Sequence, residues 1–322
     1  MKVAFKKEVY PVERTECCIL RILAYFSVFD YPLTKDEIQE FLPPSGTTNS
    51  TDHALANLVR GHVIFRIDEF YLLQDDPQLV KRRQDGNRRA EQLIPKAMKI
   101  GRFLSRFPYV RGVGISGSLS KQYAHEKADF DYFIIIKANR LWIARTLMHV
   151  FKKLTFLNGK QHHYCMNYYL DEQSLKLRDQ NIYTAIEIAT LIPVQGKGLQ
   201  AFFMANEWVR EWFASYSPES TVPQGTKGIF AKFIEWLCNN KTGDRLDNWL
   251  MNMTSRRWKL KEEQGKLNYE GKEMALITGK HYAWSNPDSF QEKTVNLYNK
   301  RLAEIRTRWP GYFQPLSFSF EE

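Results

Sequence analysis

Asp129 and Asp131 stand two residues apart at the head of the apolar run 132–136, and two carboxylates at that spacing can do chemistry. Side chains of a strand alternate faces, so both acids project to one side. Upstream, the apolar run 113–115 leads into Gly117-Ser118, and the polar loop 119–128 separates that pair from the acids. Mg²⁺ takes one or two carboxylates together with substrate phosphates, and paired ions can hold both the entering and the leaving oxygen of an in-line phosphoryl displacement. Gly117 lets the backbone come close to a triphosphate, while the Ser118 hydroxyl and nearby amides can donate to its oxygens. Lys121 and His125, in the same loop, either add positive charge there or are ordinary solvated residues. Together these residues point to a divalent-cation site for a nucleoside triphosphate.

Such groups need short strands backed by helices. The runs 113–115 and 132–136 read as strands, and 163–170 as a third. Between the second and third, 140–156 carries Leu141, Trp142, Ala144, Leu147, Met148, Phe151 and Leu154 at helical spacing, a stripe that faces a core. Residues 181–189 read as a further helix, whose Tyr183, Thr184 and Glu187 either face the nucleotide or only stabilise the helix.

Ahead of this core, Ile19, Leu20, Ile22, Leu23 and Phe26 form a helical stripe. Thr34 with Glu37 is a capping box for a second helix through Leu42, and Ser50 or Thr51 caps a third. The runs 63–67 and 70–73, joined at Asp68-Glu69, make a hairpin. A helical connector comes next and is the most basic part of the chain, with Lys81, Arg82, Arg83, Arg88, Arg89, Lys96, Lys99 and Arg102. It reads either as a solvated face or as a surface for an acidic substrate. Beyond 201 the chain reads as helical, with a Pro- and Gly-bearing loop over 215–228. The expected units are therefore 1–75, 76–105, 106–200 and 201–322.

Gly117-Ser118, the spacer 119–128 and Asp129-x-Asp131 opening a strand resemble the nucleotidyltransferase superfamily typified by DNA polymerase beta. The resemblance implies an α+β fold, a small mixed β-sheet with helices, and transfer of a nucleoside monophosphate from an NTP with release of pyrophosphate. It implies that Asp129 and Asp131 are catalytic and bind Mg²⁺ (or Mn²⁺), and that Gly117 and Ser118 hold the nucleotide's phosphates, with Lys121 beside them. In similar enzymes a helical C-terminal region packs on the sheet and helps bind base or acceptor. The superfamily's full active form also carries a third carboxylate on a later strand. Here the run 163–170 has Asn167 at its centre and no acid, and Asp171 and Glu172 only come after it. Three outcomes stay open: one of those acids reaches in, two acids suffice, or nucleotide binds without turnover. Residues 1–75, three helices and a hairpin, resemble a winged helix-turn-helix domain. Its third helix offers Asn49, Asp52, His53, Asn57 and Arg60, with one certain positive charge, which is little for DNA phosphates.

At 322 residues, 43% hydrophobic and 14% aromatic, the chain is long enough for two or three domains with real cores. A net charge of +10 favours a polyanionic partner or substrate. No apolar run reaches the roughly 18 residues of a membrane span, and the N-terminus has no export pattern, so no membrane partner is expected. Cys17, Cys18, Cys165 and Cys238 have no metal-binding spacing, which fits a reducing cytoplasm. The expectation is a cytoplasmic, Mg²⁺-dependent nucleotidyltransferase acting on an NTP and a hydroxyl of a nucleic acid, protein or small molecule. Alternatives of another class are a degenerate nucleotide-binding or DNA-binding regulator, and a toxin–antitoxin component.

Overall fold

In the computed structural model, which describes residues 14–44, 50–126, 128–155, 161–217, 222–267, 271, 276–285 and 289–313, the chain is mixed α+β. It opens with α1 (Thr15–Ser27), β1 (Leu33–Thr34), α2 (Lys35–Glu40), α3 (Thr51–Arg60), β2 (Phe65–Ile67) and β3 (Phe70–Leu72). Thr34 starts α2 as a reciprocal cap: its hydroxyl accepts from the Glu37 amide, and the Glu37 carboxylate accepts from the Thr34 amide. Ser50 caps α3 by accepting from the His53 amide. Asp68 makes the hairpin turn at φ 54, a left-handed backbone that Asp adopts more readily than most residues. The three strands pair antiparallel in the order β1-β3-β2. Asn49, named above for the third helix, lies outside the described residues.

The long α4 (Pro77–Leu104) starts with an Asp76 cap and a proline in its first turn, where a missing amide costs nothing. After it come β4 (Val110–Ser116), α5 (Gly117–Ser120), β5 (Asp131–Ile136), α6 (Leu141–Thr155), β6 (Cys165–Asp171), α7 (Ile182–Ala189), β7 (Ile192–Gln195) and α8 (Lys197–Ala205). The chain continues through α9 (Ile229–Cys238), α10 (Lys241–Glu263), β8 (Leu276–Thr278), β9 (Tyr282–Ser285) and α11 (Phe290–Arg308). Six strands form one sheet in the order β7-β4-β5-β6-β9-β8. Only β5 and β6 run parallel, so α6 serves as their crossover, while every other neighbouring pair is antiparallel.

The central strands are buried on both faces, which is why 132–136 is apolar without alternation. Phe133 and Ile135 join a core with α7 and α8 that runs on into α1, α2 and α3. Tyr132, Ile134 and Ile136 join the opposite core with residues of α4, α6 and α10. Tyr132 also donates its hydroxyl to the Ala97 carbonyl, tying α4 down.

Several expectations shift. β5 begins at Asp131, so Asp129 precedes the strand instead of sharing it. The region read as wholly helical beyond 201 also supplies β8 and β9, which extend the sheet from β6. Such short strands are fixed by pairing with a distant part of the chain, a cause no local pattern encodes. Among the described residues no helix is long and apolar enough to cross a membrane.

Candidate functional site

Antiparallel pairing sets Ser116 of β4 opposite Asp131 of β5, so the strand that ends at Ser116 delivers Gly117, the next residue, to the first residue of β5. Gly117 has φ +71, and a Cβ there would lie 2.4 Å from Asp131 Oδ2. Only glycine satisfies both the backbone and the contact. The loop beyond is not the free polar loop its composition implied. Tyr123 and Ala124 are buried, and a Cβ on Gly86 of α4 would meet the Tyr123 ring at 2.2 Å. The Ala124 amide donates to the Gly86 carbonyl at 3.1 Å, Arg89 Nε donates to the Ala124 carbonyl at 2.9 Å, and the Tyr31 hydroxyl donates to the Lys121 carbonyl. The basic connector and the N-terminal unit thus hold the loop in shape. His125 stays exposed against the Tyr123 ring, with its pKa lowered by desolvation and by Arg82 and Arg89.

Around Asp131 the parallel neighbour brings Cys165 opposite it, and a register shift after Tyr132 turns Asn167 to the same side. Asn167 Nδ2 donates to Asp131 Oδ1 at 2.5 Å, Cys165 Sγ donates to Asn167 Oδ1 at 3.0 Å, and Lys152 Nζ lies 3.7 Å from the thiol. Burial, with the Asp131 charge next, pushes the Cys165 thiol up to about 12, so it remains a donor and fixes which end of the Asn167 amide faces Asp131. Asp131 itself is pushed up to about 7, by desolvation first and then by the charges of Asp129 and Glu187. Asp129 Oδ1 pairs with His162 Nδ1 at 2.8 Å.

The structure therefore brings Gly117, Asp129, Asp131 and Asn167 together at one end of the sheet. Ser118 sits half-buried in the one-turn α5, and Ser116 gives that turn no side-chain cap. Lys121 is half-buried, with Nζ 3.2 Å from the Gly117 carbonyl and 2.8 Å from Glu187 Oε1 of α7. Asp171 and Glu172 do not approach: Asp171 pairs with Ile136 at the opposite end of β5, and Glu172 accepts from the Ala138 amide there. Glu187 is the acid that sequence pattern did not single out above its helix neighbours. Its contact with Lys121 spans 66 positions, and only a lone acid on an apolar helix hinted at it.

Among the described residues no group of three or more His, Cys, Asp or Glu side chains is assembled to hold a metal ion. The donor set still fits a cation that arrives with phosphates, because Mg²⁺ needs only one or two carboxylates from the protein. Asp131 is raised by desolvation first and by the charges of Asp129 and Glu187 next, and the second of these is what such an ion relieves. Part of the basic connector is engaged within the fold: Arg83 is buried over the Tyr31 ring and pairs with Glu37, Arg82 reaches Asp30, and Arg88 pairs with Asp85. Comparison of the chain with protein-family models, with curated proteins and with solved structures gave no match.

Proposed function

We propose that this protein is a metal-dependent nucleotidyltransferase that moves a nucleoside monophosphate from an NTP to a hydroxyl acceptor. The observation that carries this is the meeting of Gly117, at φ +71, with the Asp131 carboxylate beside Asp129. The strand order supports it as well, with the Gly-Ser strand antiparallel to the Asp strand and the Asp strand parallel to the next. A bound Mg²⁺ or Mn²⁺ supplies charge neutralisation and a template for phosphate oxygens. Asp129 and Asp131 hold the cation, Gly117 and Ser118 receive the phosphates, and Lys121 supplies positive charge at the loop. Asn167 donates to Asp131 and keeps its second oxygen turned toward Gly117. It takes the place where a third acid was expected, and it cannot accept a proton at neutral pH. Glu187 is then the nearby carboxylate available to the acceptor hydroxyl.

The second reading is a regulator that binds nucleotide without transferring it, and Asn167 favours that. The N-terminal unit, three helices with a β1-β3-β2 sheet, supports the winged-helix resemblance. Its third helix gives weak support to DNA reading, since Asp52 is paired with Lys35 and Arg60 is its one basic residue. Incubation with each labelled NTP, Mg²⁺ or Mn²⁺, and cellular RNA or lysate separates the two. Label on an acceptor supports the transferase; NTP binding without any transfer supports the regulator.

A further inference from the structure

α9 is apolar on two opposite sides. One side carries Ala231, which is buried, together with Ile234 and Cys238, which pack on the core shared by α6 and α10. Glu235 on that side is engaged by Arg111 at 3.0 Å and by the Tyr109 amide at 2.7 Å, so the helix is firmly seated. The other side presents Ile229, Phe230, Phe233, Trp236 and Leu237, exposed to 88%, 68%, 54%, 75% and 50%. Their spacing, with 229, 233 and 236 as i, i+4 and i+7 and 230 and 237 alongside, is that of a stripe which packs on another helix. On α10, which packs against α9, Leu246 and Trp249 are also 38% and 58% exposed. A helix apolar all round belongs between two protein layers, and here the fold supplies one of them.

We propose that a second copy of this chain covers the outward face of α9, forming a two-fold dimer. Two considerations select this occupant. The first is area. A covered aromatic side chain removes about 150–250 Å² from water, so the exposed parts of these residues amount to something on the order of 800 Å². That is about what each partner contributes to a stable interface, and well above the apolar patch of an ordinary monomer. The second is composition. Within the stripe Lys232 is the one exposed charge, and charge depletion with clustered aromatics marks homodimer contacts more than transient ones. A lipid surface fits less well. A helix lying on a membrane turns a charged face to water, whereas the far side of α9 is Ala231, Ile234 and Cys238 packed on its own fold.

Light scattering on the full chain after gel filtration tests this. The dimer predicts twice the 38.0 kDa chain mass, held across a tenfold dilution. Phe233→Ser with Trp236→Ser should return the mass to 38.0 kDa while the helical circular dichroism stays as in the native chain. The single Trp236→Ser variant, which disturbs less, should weaken the dimer at least tenfold by sedimentation. A native chain of 38.0 kDa at every concentration overturns the proposal, as does a folded double variant that is still dimeric. A native monomer that co-floats with phosphatidylglycerol vesicles overturns it in favour of a membrane contact.

Discussion

β5 and β6 lie parallel, and the two ends of the pair treat an aspartate in opposite ways. At one end Asp171 is fully buried and surrounded by donors: the Asn139 amide at 2.9 Å, the Gln173 amide at 2.9 Å and His281 Nδ1 at 2.8 Å. At the other end Asp131 receives Asn167 Nδ2 at 2.5 Å, while desolvation first, and then the charges of Asp129 and Glu187, raise its pKa. The first carboxylate is closed, since its lone pairs are used in holding the turn after β5 and the residue that leads into β9. The second is left short of positive charge in a place where glycine alone fits beside it. What separates the two carboxylates is the number of donors and the sign of the charges around each.

Removing Asp171 is expected to have the largest effect. Asp171→Ala leaves three donors without an acceptor and should cost about 3–5 kcal/mol of stability in urea unfolding. NTP affinity of the remaining folded protein should stay unchanged; a specific loss of NTP binding in stable Asp171 variants would erase the contrast between the ends.

Asp131 should behave in the opposite sense. Its pKa is raised from 3.8 to about 7, so its protonated form stabilises the fold below about pH 4, and that contribution is lost as pH rises through about 7. Asp131→Asn should therefore be more stable than the native chain at pH 8, by about 4 kcal/mol. The gap should close as pH falls toward 4, and equal pH profiles for the two proteins would show that Asp131 is not strained. Gly117→Ala comes next, because its Cβ would meet Asp131 Oδ2 at 2.4 Å. NTP affinity should fall about a hundredfold, or ~2.7 kcal/mol, in calorimetric titrations. The smallest effect on binding belongs to Glu187→Gln, which frees Lys121 from its 2.8 Å partner. NTP affinity should change less than tenfold while label transfer drops by at least that factor; full transfer would remove Glu187 from the chemistry.

The site was legible where it is local. Gly117-Ser118, the spacer and Asp131 lie within one strand–loop–strand unit, whose antiparallel pairing brings them together, while Asp129, expected on the strand, precedes it. The capping box at Thr34 and the hairpin turn at Asp68 were legible for the same reason. The parts that stayed hidden depend on distant chain. α1 shows one apolar stripe in sequence yet is buried at Thr15, Glu16, Cys17 and nearly every position from there to Phe26, because α11 packs against it. Arg83 reads as part of a solvated basic run but lies in the interior, bonded to the Pro32 carbonyl at 3.2 Å. His281, 110 positions along the chain, is the partner that closes Asp171. Each of these is decided by which segment arrives from elsewhere.

Calorimetric titration of Mg²⁺ with a non-hydrolysable NTP analogue into the native chain, and into the Asp129→Asn, Asp131→Asn double variant, tests the central claim most directly. The native chain should bind the analogue only when Mg²⁺ is present, and more weakly as pH falls below about 7, where a proton competes for Asp131. The double variant should remain folded and show no Mg²⁺-dependent binding. Equal affinity in the two proteins would contradict a metal–nucleotide site at Asp129 and Asp131.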